Sequence, residues 1–142
     1  GDTAAANALD DYEEGTFTPT LRGNTTAGTF SYTVNTSSYT KIGDVVNVQV
    51  EIVASHTSGA VGTLKCMGFP YANGTEYASG TLGYTANFGS NAEPQGLLMS
   101  PSDSGVFFYN WASASDHTMS GLLASDMNSN ANFYFAVSYI TT

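Results

Sequence analysis

Twelve acids, two histidines and one cysteine are the side chains of this 142-residue sequence best suited to catalysis or metal binding. Glycoside hydrolysis requires two carboxylates facing one bond, but Glu51, Glu76, Glu93, Asp103, Asp116 and Asp126 are scattered singly and define no pair. A cysteine nucleophile requires a base beside it. Cys66 lies in Leu64-Lys65-Cys66-Met67, and no spacing ties His56 or His117 to it, so it reads as a small core side chain. Asp116 beside His117 could pass a proton, but two histidines without nearby cysteines do not complete a usual zinc site, and the pair reads better as part of a surface loop. The run Asp10, Asp11, Glu13 and Glu14 offers oxygens to a hard cation, yet its spacing matches no calcium loop. It reads instead as a solvated arm, or as partners for Lys41 and Arg22 of a neighbouring chain. No catalytic residue, metal or cofactor is therefore assigned, and a binding or structural module is expected rather than an enzyme.

Binding chemistry is better represented. Sugars are recognised by aromatic faces laid against the apolar side of the ring and by short polar side chains that meet the hydroxyls. Trp111 leads the aromatic candidates, because alternation fades around it into a polar stretch that includes Asn110, Asp116 and His117. Tyr77 and Tyr84 flank the other long loop region. The competing reading of each ring is a core or subunit-interface aromatic. Function is expected on the loops, with the strands as scaffold. The triplets Asn24-Thr25-Thr26, Asn35-Thr36-Ser37 and Asn73-Gly74-Thr75 match the glycosylation pattern, which a chain rich in Asn, Ser and Thr produces by chance.

Composition narrows the partners. Against twelve acids stand only Arg22, Lys41 and Lys65, for a net charge of −9. Nucleic acid needs clustered cations to displace its counterions, so no nucleic-acid partner is expected. An anionic membrane surface is disfavoured on the same ground. No apolar run reaches the ~20 residues of a spanning helix, so no membrane insertion is expected. Charged residues make up 11% of the chain, against ~25% in ordinary soluble domains, so the polar surface must be built largely of Thr, Ser, Asn and Gly. A single cysteine permits no internal disulfide.

The elements that would position these groups are strands. Residues 1–14, rich in Ala and acids, read as a short helical or extended arm, and residues 15–142 as one domain. Phe17, Pro19 and Leu21 alternate with threonines, and Pro19, having no N–H to donate, assigns that strand to an edge. Phe30 to Val34 follows, then a Ser-rich break, then Tyr39 to Ile42, and a turn at Gly43-Asp44. The clearest alternation places Val46, Val48, Val50 and Ile52 opposite Asn47, Gln49 and Glu51. Further strands are expected at Val61 to Met67, Leu82 to Ala86, Gly96 to Met99, Val106 to Asn110, Thr118 to Leu123 and Phe133 to Tyr139. So many short strands without intervening helices imply an all-β, antiparallel sandwich of jelly-roll-like type.

Leu9-Asp10-Asp11-Tyr12-Glu13-Glu14-Gly15-Thr16-Phe17-Thr18-Pro19-Thr20-Leu21, followed by Tyr39-Thr40-Lys41-Ile42-Gly43-Asp44-Val45-Val46, resembles the opening of a C-terminal domain of bacteriophage tail fibres and related virion proteins. Gly68-Phe69-Pro70-Tyr71 looks like that family's Gly-Leu-Pro-Phe turn, and Phe135 to Thr142 like its closing strand. The resemblance implies a β-sandwich head on a homotrimeric fibre, located in the virion, joined to other virion proteins and contacting a host surface glycan or protein. An architectural part, such as a capsid decoration or fibre-trimerisation module, is the alternative.

Overall fold

The computed structural model describes residues 11–90, 92–111 and 118–141. Among the described residues, ten strands form two antiparallel sheets. The first has the order β1 (Tyr12–Thr16), β3 (Thr29–Ile42), β4 (Val45–Ser58), β10 (Met127–Ile140) and β6 (Gly80–Phe88). The second has the order β2 (Thr20–Gly23), β5 (Leu64–Met67), β8 (Gly105–Trp111) and β7 (Gly96–Leu98), with β9 (Met119–Gly121) also paired to β8. The architecture is an all-β sandwich, and the chain passes repeatedly from one sheet to the other.

Alternation along the two longest central strands explains the core. Val46, Val48, Val50, Ile52 and Ala54 of β4 face inward beside Phe133, Phe135, Val137 and Tyr139 of β10, and all are buried. Phe108 of β8 meets them from the opposite sheet, its ring centroid 4.7 Å from that of Phe133 and 5.5 Å from that of Phe135. Cys66 is fully buried in this layer, and loss of solvent pushes its thiol pKa upward. That placement suits a packing side chain rather than a nucleophile.

Two local expectations are corrected. The Ser-rich stretch at 36–38 does not break a strand, since β3 runs through it in register with β4 to the turn at Gly43-Asp44, where Gly43 has φ +57°. Inward-facing Ser37 is accommodated because its hydroxyl donates to the Phe17 carbonyl. The single strand expected from Gly15 to Leu21 is divided between the sheets: β1 ends at Thr16, Phe17 to Pro19 cross over, and β2 begins at Thr20. Pro19 sits fully buried at the crossing, where its missing N–H costs no ladder bond. β2 is nonetheless an edge strand. Tyr12, Glu13 and Glu14 of β1 pair with Ile42, Lys41 and Thr40 of β3.

Candidate functional site

A concavity lies on the outer face of the first sheet. It is a groove of about 570 Å³, formed where β3, β4, β10 and β6 run side by side. Register sets its walls and floor. Ser38, Gln49, Ala136 and Thr81 form one row across the four strands, and Thr36, Glu51, Tyr134 and Tyr84 form the next. These positions project outward because their neighbours Val50, Phe133 and Phe135 face the core. The methyl of Ala136 and the bare backbone of Gly83 leave the middle of the face unfilled, while Tyr134, Gln49 and Glu51 stand around it.

A β-bulge brings the second aromatic ring to this face. Tyr134 is opposite Tyr84, but Phe135 is opposite Leu82, which leaves Gly83 as the extra residue on β6. Leu82 therefore packs on the core while Tyr84 points outward, 53% exposed. The rings of Tyr84 and Tyr134 lie 5.4 Å apart at 47°, within the range of favourable aromatic pairs. Tyr134 stands opposite Glu51 in the register, and burial, then the neighbouring Glu51 carboxylate, raise its pKa. The groove thus combines an aromatic wall, a carboxylate acceptor, one amide and several hydroxyls.

The candidates derived from sequence are dispersed. Tyr84 adjoins the groove. Tyr77 is 67% exposed in the connection before β6, and Trp111, 41% exposed, ends β8 in the other sheet, opposite Met119. Asn110 lies in β8, as the alternation predicts, but it is 8% exposed and faces the interior, where its side-chain oxygen accepts a hydrogen bond of 2.9 Å from Ser120. Asp116 and His117 lie outside the described residues. Glu51, Gln49, Thr36, Ser38 and Tyr134 lie within strands and carry no loop signal, although the outward phase of β4 and β10 is readable from Val48, Val50, Phe133 and Phe135. Among the described residues, no three His, Cys, Asp or Glu side chains converge as a metal site. The acidic run is split by strand alternation: Glu13 accepts from Tyr39 and Tyr71, and Glu14 accepts from Tyr12. Asn73 is buried, donating to the carbonyls of Glu76 (2.5 Å) and Ser100 (3.2 Å), which withholds that triplet from the surface.

No protein-family model matches the chain, and no curated protein matches it. Among solved structures, the chain is similar to the crystal structure of the Dettilon tailspike protein (gp208), with a TM-score of 0.71 at 16% sequence identity. The similarity covers 92% of this chain and 24% of that one, so the chain spans about a quarter of the tailspike's length. At this identity the likeness is one of fold.

Proposed function

We propose that the chain is an attachment module of a virion tail appendage, homotrimeric, which holds a host surface glycan in the groove of the first sheet. The observation that carries this reading is the groove itself: the paired rings of Tyr84 and Tyr134 beside Glu51, Gln49, Thr36 and Ser38. Stacking surface next to hydroxyl-reading groups is the combination a sugar requires. The fold shared with a tailspike and the motif resemblance in residues 9–21 and 39–46 support the virion setting. Glycan retention and host adsorption test it: Ala136→Trp, which fills the groove from an exposed position, and Tyr84→Ala should each abolish retention, while Trp111→Ala in the other sheet should not. Retention that survives both groove variants would refute the reading. Light scattering should give a mass near three times 14.9 kDa.

A second reading, a purely architectural virion part, is favoured by one observation. Tyr12, Ile42, Val45 and Ile140 form a single cross-strand row at one end of the first sheet's outer face, each at least 38% exposed. An apolar row of this kind suits contact with another polypeptide. Under that reading Ile42→Asp disrupts assembly and infectivity, whereas Ala136→Trp leaves both intact.

A further inference from the structure

The three cations of the chain carry information about the ligand. Arg22 and Lys65 stand opposite one another on β2 and β5, in the second sheet. Lys65 is ion-paired to Asp103, and its Nζ lies 4.5 Å from the centre of the Phe107 ring. Lys41 is in register with inward-facing Val46, and its Nζ lies 5.6 Å from the centre of the Tyr71 ring. These are all the Lys and Arg residues of the sequence, and none lines the groove of the first sheet. A sulfate, phosphate or carboxylate placed there would meet no countercharge from these residues. It would meet the carboxylate of Glu51 on a chain of net charge −9.

Resting on the glycan reading above, we infer that the groove takes uncharged saccharides and rejects acidic ones, with Glu51 as the specificity-determining residue. A carboxylate only accepts hydrogen bonds, with about four lone-pair sites on its two oxygens. Glu51 is exposed and lines the groove opposite Tyr134, so its acceptor sites face a ligand held there. A ligand must therefore supply donors, and two neighbouring sugar hydroxyls do so without carrying charge. Charge-assisted bonds of this type are stronger than neutral ones, so Glu51 adds both affinity for hydroxyl pairs and repulsion of anions. Gln49 and the hydroxyls of Thr36, Ser38 and Thr81 both donate and accept, and so do not discriminate by charge.

The test is a glycan array carrying neutral and acidic polysaccharides, probed with the 142-residue chain at low and high salt. Retention should be confined to neutral glycans and should change little with salt, because no ion pair forms. Glu51→Gln, a conservative change at an exposed position, should weaken it roughly tenfold, equivalent to about 1.4 kcal/mol. Glu51→Lys should create retention of acidic glycans. An acidic glycan retained by the wild type and lost in Ala136→Trp would overturn the inference while leaving the groove reading intact. A neutral glycan retained equally by Ala136→Trp would overturn the groove reading, and with it the inference. An array with no retention overturns both.

Discussion

The Tyr71 hydroxyl donates to the Glu13 carboxylate, tying the turn after β5 to edge strand β1. Tyr39 donates to the same carboxylate. Residues from three separated stretches, 9–21, 39–46 and 68–71, thereby meet at one point. Around it the rings continue from Tyr71 to Tyr39 at 5.9 Å, from Tyr39 to Phe17 at 6.5 Å and from Phe17 to Phe69 at 5.6 Å. Gly15 packs beside them, since a Cβ there would lie 2.8 Å from the Tyr39 ring and the ring would have to shift.

This arrangement predicts an acid-sensitive edge. The hydrogen bond from Tyr39, then that from Tyr71, and to a lesser extent the charge of Lys41, lower the Glu13 pKa from its ordinary 4.5. A carboxylate with a lowered folded-state pKa contributes stability that is fully present above the unfolded value and lost as pH falls through the folded one. Melting temperature should accordingly fall between neutral pH and the region below 4.5, and Glu13→Gln should fall less over the same window. Parallel curves for the two proteins would refute the assignment. Tyr71, whose hydroxyl is pushed up to about 12 chiefly by its bond to Glu13, should stay protonated in alkaline spectrophotometric titration after exposed tyrosines have ionised.

Phe133 joins the two sheets, with its ring 4.7 Å from Phe108 and 5.1 Å from Phe88. Phe133→Ala should cost about 3–5 kcal/mol in denaturant unfolding, since it removes both buried surface and the contacts of the surrounding rings. Tyr134→Ala, one residue away but outward-facing, should cost far less.

Lys65 and Asp103 form an ion pair whose side chains are only 11% and 16% exposed. Breaking one partner leaves the other charge poorly solvated. Lys65→Met should destabilise by roughly 2 kcal/mol, less than the about 3–5 kcal/mol of fully buried pairs. Adding Asp103→Leu should recover most of that loss, which a double-mutant cycle would measure.

Asn35 occupies an inward position opposite Ile52, and its side-chain oxygen is buried without a hydrogen-bond donor among the described residues. Replacing it with Val removes an unsatisfied acceptor and introduces a good strand former. Asn35→Val should therefore raise stability by about 1 kcal/mol in the same unfolding assay, and a loss instead would show that the amide is satisfied in solution.

Much of the scaffold is legible in the residues. The alternation of Val46 to Ile52 and of Phe133 to Tyr139 identifies which side of each strand is buried, because period two admits only two phases and one of them is apolar. The limits of β3 are less legible: serines at 37 and 38 suggest a break, and only the carbonyl of Phe17 and the pairing with β4 show why none occurs. Nor does local sequence reveal that Phe17 to Pro19 carry the chain between sheets.

The groove marks the boundary between the two sources of information. The sequence by itself determined an antiparallel β class, a surface built largely of uncharged hydrogen-bonding side chains and a shortage of cations, all of which follow from residue type and short-range period. Strict alternation would have placed Tyr84 on the same side as Leu82, in the core. Only the tertiary structure decided otherwise, because the extra residue at Gly83 shifts the phase of β6 against β10 and turns Tyr84 outward beside Tyr134. A bulge is a property of two strands in register, and Glu51 and Tyr134, 83 positions apart in the chain, become neighbours only once that register is made.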